Sequence, residues 1–503
     1  MSNSSLKKAP EWVYVPGAVV TLWIVVLMVQ TFLGRVDYPF DLEWMEGGML
    51  IHGLRVSEGQ PLYVTPSAEF IPFIYPPLFA WLLGGLGKIF GVTYALGRSI
   101  AFVGSMAAAA ALIPAVRGEK GSFLLGLTAA GMFLSGFDET GGFFDLVRND
   151  GLLIGLLAWS LVAVRHGWLR TGGALLTLAF MAKHNAAIFG LPTLIWLSKT
   201  QGRDEALTFV KWSVVPALAF TGLMMLEGDG LFLTYILGVP AAHPFVFNRF
   251  LPLAPKEMLS ALPWSSLFVV VVGLFWLVGP RSTGGTSDGE SKQPRRWSDG
   301  GVFWVSHGAL AFVFCMVMRG HYGGYMNVLI PGVWVLALWG ALAVGAVHRR
   351  WPHLWVGLLL SCGLAAQIWT EQWKQERFLP TDSDRAAGEV VLAEVRAIEG
   401  PVLAPQFPWL PVQAGKKPSL HLITLWDLDK SGGPLRDNID GVKQSIKNQE
   451  WNAILVDKKE QVGALKRPMK SAYKRGSSLD LKGRKFFPKT GWKVRPKYLY
   501  VPK

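Results

Sequence analysis

Residues 41–78 read DLEWMEGGMLIHGLRVSEGQPLYVTPSAEFIPFIYPPL and follow directly on an apolar run, 12–34, long enough to cross a bilayer. The surrounding loop, residues 35–72, carries six acids (Asp37, Asp41, Glu43, Glu46, Glu58 and Glu69) against only Arg35 and Arg55. Carboxylates held beside a first span, with a Tyr-Pro-Pro entry to the next apolar stretch, point to chemistry at the lipid–water boundary. On a short helix Glu43 and Glu46 share a face, whereas Asp41 and Glu43 do not. Trp44, Met45, Met49 and Ile51 lie among the acids and would press the segment onto the membrane.

Outward from this loop the chain is apolar. Of its 503 residues 51% are hydrophobic, with 22 Trp and 29 Phe, and most apolar runs approach the length of a span. Candidate spans lie near 12–34, 73–91, 97–116, 121–137, 150–165, 209–227, 262–280, 300–318, 325–347 and 353–370. The stretch 170–198, interrupted by Lys183, His184 and Asn185, reads as a hairpin of two short or broken helices. The expected fold is an all-α polytopic membrane bundle of about 10–13 spans, residues 1–370, with a small C-terminal α/β soluble domain, residues 371–503. Lys7 and Lys8, with no small-residue cleavage site before Asp37, predict a retained first span.

Lys and Arg should gather on cytoplasmic loops. The segments 1–11, 165–170, 199–211, 281–296 and 348–350 then share one side. Residues 137–150, 228–261, 319–325 and everything after 370 fall on the other. This assignment needs an even number of crossings between the first loop and residue 137, yet three apolar runs lie there. The segment 281–299, rich in Gly and Ser, reads as a flexible loop.

The net charge is +14, and residues 371–503 hold 25 Lys/Arg against 15 Asp/Glu. A domain facing anionic headgroups and phosphate-bearing substrates accounts for this basic tail better than nucleic acid does. Short apolar pieces at 401–404 and 453–457 read as strands. The two cysteines, Cys315 and Cys362, both lie in apolar runs, so no disulfide framework holds an external domain.

Three further stretches carry polar groups where lipid is expected. In FDETGGFFDLVRNDGLL (137–153) the planar fork of Arg148 suits a lipid phosphate, with Asp150 to steady it. In MAKHNAAIFGLP (181–192) Lys183 should face the bundle interior, able to donate to a phosphate, with His184 and Asn185 adding donors. RGHYGGYMNVLIPGVW (319–334) places His321 and Tyr322 at a span entry. Tyr75, Asp150, His321 and Tyr322 are the candidate substrate-binding residues. Arg148, Lys183 and His184 are the candidate donor-phosphate ligands, and Glu46, Glu43 and Asp41 the candidate catalytic carboxylates. A divalent cation, magnesium or manganese, is the one cofactor such carboxylates suggest, its ligands unassigned.

The first span, the acidic segment after it, the Gly59–Tyr63 turn and the Tyr-Pro-Pro-Leu entry together resemble the GT-C membrane glycosyltransferases. The narrower resemblance is to the clan of protein O-mannosyltransferases and lipid A aminoarabinose transferases. It covers about residues 12–370 and is strongest over 41–98. That clan has an Asp-Glu pair about thirteen residues before the turn glycine, and here Glu46 takes the Glu position and Met45 the Asp position. The resemblance implies an inverting transfer of a sugar from a polyprenyl-phosphate donor to a lipid, glycan or protein acceptor on the non-cytoplasmic face. Glu46 is then the first choice of general base, Glu43 and Asp41 the reserves, and a bacterial inner membrane the expected location. The rival readings are a lipid-linked sugar flippase or transporter and a catalytically inactive membrane scaffold.

Overall fold

The computed structural model describes residues 10–278, 299–481, 483–484 and 486–503. Within them the apolar runs fold as helices: α1 (Val15–Leu33), α2 (Glu46–Ser57), α3 (Leu78–Phe90), α4 (Tyr94–Gly118), α5 (Phe123–Ser135), α6 (Asn149–Arg165), α7 (Leu169–Ala182), α8 (Gly190–Thr200), α9 (Arg203–Met225), α10 (Pro263–Val278), α11 (Asp299–Gly320), α12 (Ile330–Arg350) and α13 (Leu354–Thr370). Six described helical segments are long and apolar enough to cross a bilayer unaided, namely those containing α1, α4, α9, α11, α12 and α13. The molecule is an all-α membrane bundle with a small C-terminal α/β domain. Close backbone approach sets its tightest packing. Gly151 and Gly155, one turn apart on α6, lie against the backbone of Ala101 and Gly104 on α4, where any side chain would collide.

The two-sided grouping of the loops holds in the described residues. At one end Arg165 pairs with Glu119 at 2.6 Å, Arg349 reaches the Lys120 carbonyl, and Tyr14 bonds His348. At the other, Glu227 accepts from the Leu62 amide, Asp229 from Thr65, and Arg377 pairs with Asp138. The basic segments 1–9 and 281–296 lie outside the described residues.

One expected crossing is absent. The run 73–91 contains α3, which does not carry the chain to the other end of the bundle. Instead α3 folds back on α2, with Leu83 seated on Gly53 and Gly84 on Val56. Just beyond it Tyr94 already hydrogen-bonds Asp41 in the first loop. Only α4 and α5 therefore lie between the first loop and residue 137, which restores the even count. The stretch 170–198 does fold as a hairpin. Residues 173, 177 and 180 of α7 meet 212, 213 and 220 of α9 in parallel order, while α8 runs back between them in sequence.

After α13 comes α14 (Asp382–Ala397), started by a capping box between Thr381 and Asp384. Four strands follow in the order β1-β2-β4-β3: β1 (Val402–Leu403), β2 (Ala453–Val456), β3 (Tyr473–Ser478) and β4 (Tyr498–Pro502). β1 and β2 are parallel, with Val402 opposite Ala453, and the other pairings are antiparallel. The two strand-like pieces read from sequence are β1 and β2. Between them runs α15 (Leu422–Leu428), whose leading His421 reaches the first loop. The domain thus packs directly on the acidic segment: Phe40 meets Phe486 edge-on at 5.3 Å and Lys417 pairs with Glu69 at 2.6 Å.

Candidate active site

The three first-loop carboxylates have three different environments. Glu46, at the start of α2, is fully buried and saturated. Its Oε1 accepts from Arg98 Nε at 3.0 Å and the Val147 amide at 2.9 Å. Its Oε2 accepts from Arg98 Nη2 at 2.8 Å and the Leu42 amide at 2.7 Å. Arg98 spends its remaining donors on the carbonyls of Arg35, Tyr38 and Phe40. The pair therefore pins the chain entering the loop, α4 and the 137–148 segment together. The expectation that Glu46 acts as base meets a physical obstacle: its acceptor positions are filled by groups that cannot leave without unfolding the loop.

Glu43, three residues earlier, is buried but less committed. Its Oε2 takes one hydrogen bond from Arg148 Nη1 at 3.1 Å and one from the Met45 amide at 3.2 Å. Burial pushes its carboxyl up, Arg148 pulls it down and Glu46 raises it further, leaving it at about 7. Arg148 stands just before α6, and from it a line of alternating charge runs into the bundle. Arg148 Nε faces Asp150 Oδ2 at 3.9 Å, and Asp150 Oδ1 takes Lys183 Nζ at 3.0 Å and Asn327 Nδ2 at 3.0 Å. Neither Arg148 Nε nor Asp150 Oδ2 has a hydrogen-bond partner, although both are buried. Lys183 sits where α7 ends, its backbone extended, so the broken helix delivers an ammonium group to the end of α6. A second bond, Asn149 Nδ2 to the Ala182 carbonyl, fixes that approach.

Tyr75 closes this line. Its hydroxyl lies 3.5 Å from Arg148 Nη2, and Lys183 Nζ is 5.7 Å from its ring centre. Tyr63 donates to its carbonyl at 2.8 Å, and His52 holds the chain just before it: Nε2 accepts from the Phe73 amide at 2.8 Å, so Nδ1 carries the proton and donates to the Gly48 carbonyl. A small cavity of about 10 Å³ lies beside Lys183, Asp150 and Asn327, walled by Leu153, Phe314 and Pro331.

Asp41 lies apart from this line. Its Oδ1 accepts from Tyr94 Oη and the Gly47 amide, both at 2.8 Å, and burial raises its pKa well above the usual carboxylate range. The donor set does not fit a resident divalent cation. Glu46, Glu43 and Asp150 are each paired with a basic side chain, and among the described residues no three His, Cys, Asp or Glu groups are placed to hold a metal.

His184, His321 and Tyr322 form a neighbouring cluster outside the charged line. His184 Nδ1 is without a hydrogen-bond partner. His321 lies tilted against His243 at 5.1 Å, and Lys430 lies 3.8 Å over the Tyr322 ring. Arg98 and Asn327 are the residues the sequence reading passed over. A charge at the mouth of an apolar run is the same signal that singled out Lys183, and Arg98 carries it. His421 had no such signal. Its Nδ1 accepts from the Ile423 amide, so Nε2 donates to the Trp44 carbonyl at 2.9 Å, and burial holds its pKa at about 3, keeping it neutral.

No family model and no curated protein sequence matches the chain. Among solved structures it is similar to ArnT from Cupriavidus metallidurans in the apo state, at 12% identity and a TM-score of 0.58, over 96% of this chain and 97% of that one. The same protein bound to undecaprenyl phosphate matches with a TM-score of 0.59, at the same identity and coverage. The chain shares the fold of that protein from the first span through the C-terminal domain.

Proposed function

We propose that this protein is a membrane glycosyltransferase that moves a sugar from a polyprenyl-phosphate carrier to an acceptor hydroxyl or amine at the first-loop end of the bundle. The observation that carries this reading is the buried line Glu43–Arg148–Asp150–Lys183, with an unused guanidinium nitrogen and an adjoining cavity. It sets a weakly committed carboxylate beside two basic groups at the membrane boundary. The likeness to a fold that binds undecaprenyl phosphate supports the carrier class.

In this reading Arg148 and Lys183 hold the carrier phosphate, the first through its fork and the second as a point charge. Glu43 takes the proton from the acceptor as its oxygen or nitrogen bonds to the anomeric carbon. The bond from that carbon to the phosphate oxygen breaks, its electron pair leaves with polyprenyl phosphate, and Arg148 and Lys183 stabilise the charge. One displacement inverts the anomeric centre. We place the base on Glu43 in preference to Glu46, because an acceptor's proton needs a carboxylate oxygen with room to receive it. No step is routed through a divalent cation, since Arg98, Arg148 and Lys183 already occupy the carboxylates that would ligate one.

The clustering of Arg165, Arg170, Lys199, Arg203, Arg349 and Arg350 at the opposite end supports a bacterial inner membrane orientation with the site and the C-terminal domain outside the cytoplasm. The test is release of sugar from a panel of undecaprenyl-phosphate sugars by detergent-purified protein, with lipid, glycan and peptide acceptors. Turnover by wild type, lowered about 10²–10⁴-fold in Glu43→Gln, is the expected result. A folded wild type inert toward every donor and acceptor would contradict the reading and favour a transporter.

A further inference from the structure

The basic C-terminal segment, which the mechanism above does not use, reaches Glu43. Thr490 forms a parallel bridge with Glu43; its amide donates to the Leu42 carbonyl at 3.0 Å and its hydroxyl to the Gly141 carbonyl at 2.5 Å. Gly491 follows with φ +70°, a conformation that favours glycine. A Cβ there would lie 2.8 Å from Glu43 Oε1 and 3.0 Å from its Cγ. Trp492 then wedges against Trp44 at 4.9 Å and Trp426 at 5.3 Å, while Lys489 is tied to Asp384 at 2.6 Å. The segment is thus anchored on both sides of a glycine that touches the carboxylate.

We propose that Lys489–Trp492 is a working part of the catalytic site, with Gly491 a positioning residue: it seals Glu43 from water and holds the carboxylate against Arg148. This rests on Glu43 as the base. The charged and titratable groups around Glu43 are Arg148 before α6, Asp41 and Glu46 in its own loop, His421 behind Trp44, and Lys489 and Lys493 on the segment. Of these, Lys489 is engaged with Asp384 and His421 is neutral, so loss of the seal acts on Glu43 mainly through water.

The experiment is infrared difference spectroscopy of the Glu43 carboxyl in full-length protein, each variant referenced to the same variant carrying Glu43→Gln, across a pH series. Gly491→Ala must lift the segment, since Glu43 is held by Arg148 and the Met45 amide. Thr490→Ala cuts the tie to Gly141. Both are expected to lower the Glu43 midpoint by about one pH unit or more, and Thr490→Ser to leave it at the wild-type value. An unchanged midpoint in folded Thr490→Ala, whatever becomes of Gly491→Ala, would overturn the proposal. Full turnover by Glu43→Gln would instead overturn the base assignment, so the two failures are distinct.

Discussion

Two buried carboxylate–guanidinium pairs stand side by side at the mouth of the bundle, Glu46 with Arg98 and Glu43 with Arg148. In the first, the carboxylate accepts from Arg98 and from backbone amides of two segments, and Arg98 spends its other donors on carbonyls. In the second, the carboxylate takes one bond from Arg148 and one from the Met45 amide, and Arg148 Nε, 3.9 Å from Asp150, has no hydrogen-bond partner. A saturated pair holds structure, because any movement strands a buried charge. A pair with spare capacity can exchange partners with a substrate. Burial is common to both, so burial alone does not mark a reactive group; the number of hydrogen bonds left to make does.

The largest effect should come from breaking the saturated pair. Arg98→Ala leaves Glu46 buried and unpaired, at a cost of about 3–5 kcal/mol, and is expected to yield little folded protein, as measured by detergent-solubilised yield and thermal unfolding. Next comes Glu43→Gln, which keeps the shape and is expected to lower kcat by about 10²–10⁴-fold with little change in unfolding temperature. Arg148→Lys and Lys183→Met should each lower kcat by about 10²-fold, Arg148→Lys because an ammonium cannot replace the guanidinium fork. Smallest of all, Tyr322→Phe and His321→Asn should change turnover by less than about threefold, because both sit outside the charged line. A large effect there would extend the site toward Lys430.

A pH series sharpens the same contrast. Glu43 is raised from its ordinary 4.5 to about 7 by burial. Its contribution to stability is therefore present below the ordinary value and lost as pH rises through about 7. A base must be ionised, so turnover should rise over that interval while stability falls. Glu43→Gln is expected to abolish the stability trend and to lower the activity, a pairing that calorimetry and kinetics at matched pH would check.

Much of the bundle was legible from apolar length alone, since a bilayer imposes a minimum on every span. The exception is α3, which is as apolar and as long as α5 but lies on α2, and the tell-tale is Gly53 and Gly84, which admit that close approach. Glu43, Arg148, Asp150 and Lys183 were visible as charges where lipid was expected, and the structure brings them into one line. The different hydrogen bonding of Glu43 and Glu46 was not visible, because it depends on which backbone amides point at each carboxylate. Arg98 carried a readable signal at the mouth of α4. Gly491 and Trp492 did not: they lie over four hundred residues from Glu43 in sequence, and only tertiary folding places them against the first loop.

The central claim is that Glu43, and not Glu46, receives the proton. The most direct measurement compares Glu43→Gln and Glu46→Gln for both thermal unfolding and sugar transfer in the same detergent. The expected outcome is a Glu43 variant that unfolds like wild type and transfers about 10²–10⁴-fold more slowly, beside a Glu46 variant that unfolds early yet turns over while folded. A Glu46 variant as stable as wild type and inert, with the Glu43 variant active, would contradict the account.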